Sequence, residues 1–173
     1  PLLPDEFATL LETKTFTNGK DDKPLVARLY RDAFSGQMAA ATTLDYSQLG
    51  WGNDEAMKVA KLLSAHAGSL TSLNLSRNII GLDGAKAIAD ALRVHGSLTC
   101  CNVLRNQMDE AAARLLVEAV KDKSISLCGI KSDQTEADFE GHSLQLPDAI
   151  LLASDLSKAD VSGSLIELDV RNN

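Results

Sequence analysis

The 173 residues carry a net charge of −7, with 45% hydrophobic, 24% charged and only 4% aromatic residues. That is enough chain for one packed core or a short series of repeats, and the balance excludes wholesale disorder. The negative charge argues against a nucleic-acid partner, because phosphate backbones would be repelled, and leaves a basic protein surface or plain solubility as its use.

In chain order, PDEFATLLETKTF predicts a short helix burying Phe7, Leu10 and Leu11. TNGK (17–20) is a turn signal. DDKPLVARLYRDAF then offers an N-cap carboxylate, Pro24 near the first helical position, and an apolar stripe of Val26, Leu29, Tyr30 and Phe34. Nothing in 1–40 recurs downstream, so this segment is predicted as a helical N-terminal cap over the open end of the repeats that begin at residue 41.

From residue 41 the chain repeats itself. SLTSLNLSRN at 69–78 returns as SLTCCNVLRN at 97–106 and as SLIELDVRNN at 164–173. Leu70, Leu73, Leu75, Asn78 and Ile80, then Gly84, Ala85, Ile88, Ala89 and Leu92, map at a spacing of 28 onto Leu98, Cys101, Val103, Asn106 and Met108, then Ala112, Ala113, Leu116, Val117 and Val120. An earlier copy lies 29 residues before (Leu44, Tyr46, Leu49, Trp51, Ala56, Val59, Ala60, Leu63). A later one lies 36 beyond the second (Ala137, Phe139, His142, Leu144, Ala149, Leu152, Ala153, Leu156), the extra length being assigned to an insertion around CGIKSDQT (128–135). A fifth, truncated copy holds Leu165, Leu168, Val170 and Asn173. The opening PLLPDEF lacks an initiator Met and is no signal peptide, so the expectation is a processed chain or a fragment of a longer one.

Two periodicities alternate inside each copy. Leu73 and Leu75 have the two-residue spacing of a strand with one buried face, and Ala85, Ile88, Ala89 and Leu92 the 0, 3, 4, 7 spacing of a helix with one apolar stripe. Strands joined by helices run parallel. Helices are about 10 Å wide and strands lie about 4.8 Å apart, so the predicted fold is α/β: an arc with parallel strands inside and helices outside, over 41–173.

LxxLxLxxNxI followed by GAxxIAxxL resembles the leucine-rich repeat, and the 28-residue length resembles its ribonuclease-inhibitor-like subclass. The match is tightest over Leu70–Leu92, good over 98–120 and looser in the outer copies. Leu49 and His142 depart where the family expects Asn, as do Cys101 and Ala137 where it expects Leu. TKTFTNGKDD (13–22) with LDYSQLGWG (44–52) is further similar to leucine-rich repeat proteins of unicellular algae. The resemblance implies a curved solenoid that binds a protein. It also suggests a regulatory alternative, since some members of the subclass activate small GTPases.

Chemistry-bearing residues are sparse. Cys100, Cys101 and Cys128 form no CxxC or Cys/His ligand spacing, and their odd number fits a reducing compartment. His66, His95 and His142 are scattered; the first two fall near matching helix ends, where they favour the helix C-terminus. No GxxxxGK[ST] or GxGxxG is present, so no catalytic, cofactor or metal residue is assigned. Asn78 and Asn106 are read as turn amides that tie one repeat to the next.

Alignment of the copies leaves one constellation. The residue between the buried strand positions, predicted to face the concave side, reads Asp45, Asn74, Asn102, Asp138, Asp169 down the copies. The next outward column reads Ser47, Ser76, Leu104, Glu140, Arg171, with Arg77 and Arg105 beside it. This acid-or-amide row fits a basic or hydrogen-bonding protein partner. The plain alternative is a solvated strand face, which is polar anyway. Expected, then, is a non-enzymatic interaction module or scaffold, in one form an accessory subunit of a larger assembly, in the cytoplasm or an organelle such as a plastid. No apolar run reaches the roughly 20 residues that span a bilayer, so no membrane insertion is expected. The alternative is activation of a small GTPase through Arg77 or Arg105 supplied in trans.

Overall fold

A computed structural model describes residues 2–17, 22–65 and 68–173, which divide into two units, Pro1–Ala41 and Thr42–Asn173. The turn assigned to TNGK falls mostly outside the described residues, as does His66.

The first unit is two helices, α1 (Pro4–Glu12) and α2 (Asp22–Ala40). Pro4 starts α1, where its missing N–H costs nothing, and the Glu6 carboxylate accepts the Leu3 N–H at 3.0 Å. The helices meet through Phe7 and Tyr30, whose ring centroids are 3.9 Å apart, and Leu11 and Phe34 are buried. Leu10 and Leu29, expected inside, are exposed instead, because two helices alone cover only one narrow stripe of each.

The second unit alternates strand and helix: β1 (Thr43–Asp45), α3 (Asn53–Ala65), β2 (Ser72–Asn74), α4 (Leu82–Val94), β3 (Cys100–Asn102), α5 (Glu110–Ala119), β4 (Glu136–Asp138), α6 (Leu146–Leu156), the short α7 (Ala159–Ser162) and β5 (Glu167–Asp169). It is therefore mixed α/β with parallel strands, as the two periodicities predict. Leu44 pairs with Leu73, and Leu73 with Cys101, so aligned residues of successive copies are neighbours in space. Leu73, Leu75, Cys101 and Val103 are buried in one core with Ile88, Leu92, Leu116 and Val120. That burial, at about 25 cal/mol per Å² of apolar surface, is the main favourable term holding each unit of the pattern to the next.

The asparagines join neighbouring units, but towards the preceding copy rather than the following one. Asn78 Oδ1 accepts the N–H groups of Leu49 and Trp51, each at 3.0 Å, while Nδ2 donates to Tyr46 O at 2.8 Å and Leu75 O at 3.0 Å. Asn106 and Asn173 repeat the arrangement on Ile80 and Leu75, and on Leu144 and Phe139. An amide suits the position because it accepts and donates at once.

The strands do not form one sheet. β1–β2–β3 is one and β4–β5 another. Between them, the stretch read as an insertion at 128–135 begins earlier and runs beside β3: Ser126 N–H donates to Thr99 O, Cys101 N–H to Ser126 O and Val103 N–H to Leu127 O. It carries no helix of its own, so its amides lack the usual continuation. Two buried carboxylates of α6 supply acceptors at this break, Asp155 to the stretch itself and Asp148 to the turn after β3. Asp155 accepts from Leu127 N–H, Cys128 N–H and the Ser126 hydroxyl, and Asp148 accepts from Arg105 N–H at 2.7 Å.

Helix ends are also held from the next unit. The Lys123 ammonium donates to Leu92 O and His95 O at the end of α4, and Lys158 to Val120 O after α5. Cations belong at these negative helix termini. His95 is not one of them: it is buried, its Nδ1 accepts the Leu98 N–H, and burial together with Lys123 pushes its pKa below the ordinary histidine value. The expected helix-stabilising histidine is therefore a neutral core side chain.

Candidate functional site

Each strand ends in the same way. The side-chain oxygen of Asp45, Asn74, Asn102, Asp138 and Asp169 accepts the backbone N–H two residues on, at 2.9, 3.1, 3.1, 2.8 and 2.9 Å. These are Asx turns, which bend the chain out of the strand. The residue after that turn is left-handed every time: Gln48, Arg77, Arg105, Gly141 and Asn172 have φ between 58° and 62°. The acid-or-amide row thus has a structural cause, because any side-chain acceptor at that position stops the strand. Its polar atoms still lie on the face opposite the buried leucines.

The row is split by the break between sheets. Asp45, Asn74 and Asn102 are in register across β1–β2–β3, and Asp138 faces Asp169 across β4–β5. A continuous row of five is therefore corrected to rows of three and two, with the 124–130 stretch in between. The second column also changes. Ser76 and Leu104 are buried at 9% and 4% exposure, because the Asx turn folds them inward, while Glu140 and Arg171 are exposed. Arg77 is exposed and Arg105 half-buried, and neither side chain makes an ion pair among the described residues.

The β4–β5 face concentrates charge. Glu136 pairs with Glu167 and Asp138 with Asp169, so four carboxylates share one side of two strands. Like charges directly opposite are unfavourable. Arg171 offsets part of this: its Nε lies 3.0 Å from both Asp169 oxygens and its Nη2 lies 3.5 Å from Glu140. The Arg171 side chain, with the backbone N–H it also supplies, holds Asp169 below the usual aspartate pKa. Asp45 is likewise lowered, chiefly by the Ser47 N–H.

On β1–β3 the same face carries Thr43, Ser72 and Cys100, two residues before the Asx positions. They line a cleft of about 610 Å³ whose wall includes Lys131, Asp133 and Asp160. Simple alternation along the strand identifies these residues, and the wall comes from the segment that the repeat pattern does not describe. Gly129 lets that segment approach: at φ +86° it is left-handed, and a Cβ there would lie 2.8 Å from Asn102 Nδ2.

Burial raises the thiol pKa of Cys100, of Cys101 and, with Asp155 beside it, of Cys128. All three thiols are held protonated, the opposite of an activated nucleophile. Among the described residues no group of three or more His, Cys, Asp and Glu side chains is placed to hold a metal ion, and no helix is long and apolar enough to cross a membrane.

Comparison with protein-family models and with curated proteins finds no match to this chain.

Proposed function

We propose that the chain is a non-enzymatic interaction module, a leucine-rich-repeat solenoid of the ribonuclease-inhibitor-like kind that holds a basic or hydrogen-bonding protein on the strand face. The single observation that carries this reading is the β4–β5 face. Glu136, Asp138, Glu167 and Asp169 stand in cross-strand register with Arg171 as their guanidinium partner, a residual negative field that a basic surface neutralises. The Asx turns and asparagine bridges support the repeat assignment, since they impose one geometry on each copy. The scaffold reading extends to an accessory subunit of a larger assembly, inside the cell.

The test is partner capture by immobilised protein, compared with the Asp138→Lys/Asp169→Lys double variant at matched thermal stability. The reading predicts capture lowered severalfold and weakened by salt. Capture equal to that of the unsubstituted protein overturns it.

A second reading rests on Arg77 and Arg105, whose guanidinium groups sit at equivalent left-handed positions without ion pairs among the described residues. It makes the protein an activator of a small GTPase, supplying an arginine in trans. Acceleration of GTP turnover that is lost with Arg77→Ala or Arg105→Ala supports it; turnover unchanged by the protein removes it.

A further inference from the structure

We infer that the cleft on β1–β3 binds a free basic α-amino acid, its carboxylate set against Lys131 and its two cationic groups against Asp133 and Asp160. At about 610 Å³ the cleft falls in the size range that holds small molecules. It is separate from the β4–β5 face, and the inference stands whether or not that face holds a protein.

The walls are fixed to the core. Ile130 and Val161 are 2% and 3% exposed, and the Ile130 N–H donates to the Ser126 hydroxyl at 2.9 Å. Beyond Ile130 the chain turns: Gln134 N–H donates to Lys131 O at 3.0 Å, and Lys131 N–H to the Gln134 side-chain oxygen at 3.2 Å. In the other wall, the Ser124 hydroxyl donates to the Asp160 carboxylate. Thr43, Ser72 and Cys100 stand in register along the floor. The Thr71 and Thr99 hydroxyls donate to Thr42 O and Thr71 O, whereas the Thr43 hydroxyl has no partner among the described residues.

Three ionised groups surround this space without neutralising one another. Lys131 and Asp133 are two residues apart, yet neither they nor Asp160 make an ion pair among the described residues. Lys158, near enough to Asp160 to feel its charge, directs its ammonium to Val120 O at 2.8 Å instead. Burial raises the Cys100 thiol pKa and the Lys131 charge acts against it, so that charge extends over the floor.

One cation and two carboxylates are complemented by the opposite set, one carboxylate and two cations. Free arginine and lysine carry that set. A single basic side chain of a protein brings one cation and leaves Lys131 unanswered. A neutral or acidic amino acid leaves one aspartate without a partner. No aromatic ring lines the cleft among the described residues, so a nucleobase has nothing to stack on.

The test is calorimetric titration of the full chain with L-arginine and L-lysine, beside agmatine, which lacks the carboxylate, and an arginine peptide with both ends blocked. The expected result is saturable binding of a free basic amino acid that Lys131→Ala and Asp160→Asn each weaken by about tenfold or more. Agmatine and the blocked peptide should bind weaker by a similar factor. Both substituted positions are exposed, and circular dichroism confirms the fold of each variant. Absence of saturable binding by either amino acid, or binding unchanged by both variants, overturns the inference. Agmatine binding as tightly as L-arginine removes the carboxylate from Lys131 and overturns it as well. A blocked peptide that binds as tightly assigns the cleft to a side chain of a protein partner and also overturns it. The β4–β5 reading is scored separately, by the Asp138→Lys/Asp169→Lys variant.

Discussion

The Asp155 carboxylate lies 2.7 Å from the Ser126 hydroxyl, and both residues are completely buried. Asp155 also accepts the Leu127 and Cys128 N–H groups, so one side chain replaces the acceptors that a neighbouring strand would have provided. Removing it leaves buried donors unmade. Asp155→Ala is expected to cost about 3 kcal/mol or more, read from the denaturation midpoint. Ser126→Ala removes the hydroxyl that donates to Asp155 and accepts the Ile130 N–H at 2.9 Å, and is expected to cost less, about 2 kcal/mol. Equal small effects would show that the carboxylate is not what joins the 124–130 stretch to α6.

Asn78 accepts the Leu49 and Trp51 N–H groups and donates most closely to Tyr46 O and Leu75 O, and three of these four partners lie in the preceding copy. Asn78→Ala is expected to lower stability by about 2–3 kcal/mol. Asn78→Asp keeps the acceptor and loses the donors, so chemical denaturation should place it between the two. An alanine variant as stable as the parent would show that the asparagine bridge does not hold the copies together.

The Asx turn itself needs only a side-chain acceptor, which is why either Asp or Asn serves at that position in each copy. Asn74→Asp keeps the turn but loses the hydrogen bond to Asp45 and sets two carboxylates in register, so it is expected to cost less in thermal melts than Asn74→Leu, which costs about 1 kcal/mol. If aspartate destabilises as much as leucine, the donated side-chain N–H matters and the row is not explained by turn formation alone.

His95 provides a pH dependence. Its folded-state pKa lies below the unfolded value of 6.5, so the unfolded chain binds more protons as the pH falls through that value. Stability should therefore be full above about pH 6.5 and decline below it. Asp45 and Asp169, also lowered, add a loss only at more acidic pH, as they are protonated. His95→Gln should flatten the near-neutral part of the stability–pH curve while leaving the acid limb. An unchanged curve would place the near-neutral titration elsewhere.

Much of the α/β pattern was legible because burial imposes periodicity: Leu73 and Leu75 had to alternate, and Ile88, Ala89 and Leu92 had to share a stripe. The outward row was legible as a row, but not its cause. Alternation says that Asn74 leaves the core, whereas only geometry shows its oxygen on the Ser76 N–H. The same turn buries Ser76 and Leu104, which strand periodicity extended past Asn74 would leave outside. Asp148 and Asp155 were invisible for a different reason. A carboxylate inside an apolar helix face reads as an interruption until its partners, far away in sequence, are known. The stretch 124–130 escaped the repeat because it keeps the strand-like contacts of the pattern without the helix that makes the pattern recognisable.

The proposed partner face is tested most directly by zero-length carbodiimide cross-linking of the protein in its native complex, which joins carboxylates to lysines within salt-bridge distance. A partner held on this face predicts cross-linked peptides that carry Glu136, Asp138, Glu167 or Asp169 bonded to partner lysines. Cross-links confined to carboxylates of the helices, such as Asp83, Glu110 or Glu118, with none on β4 or β5, would contradict it.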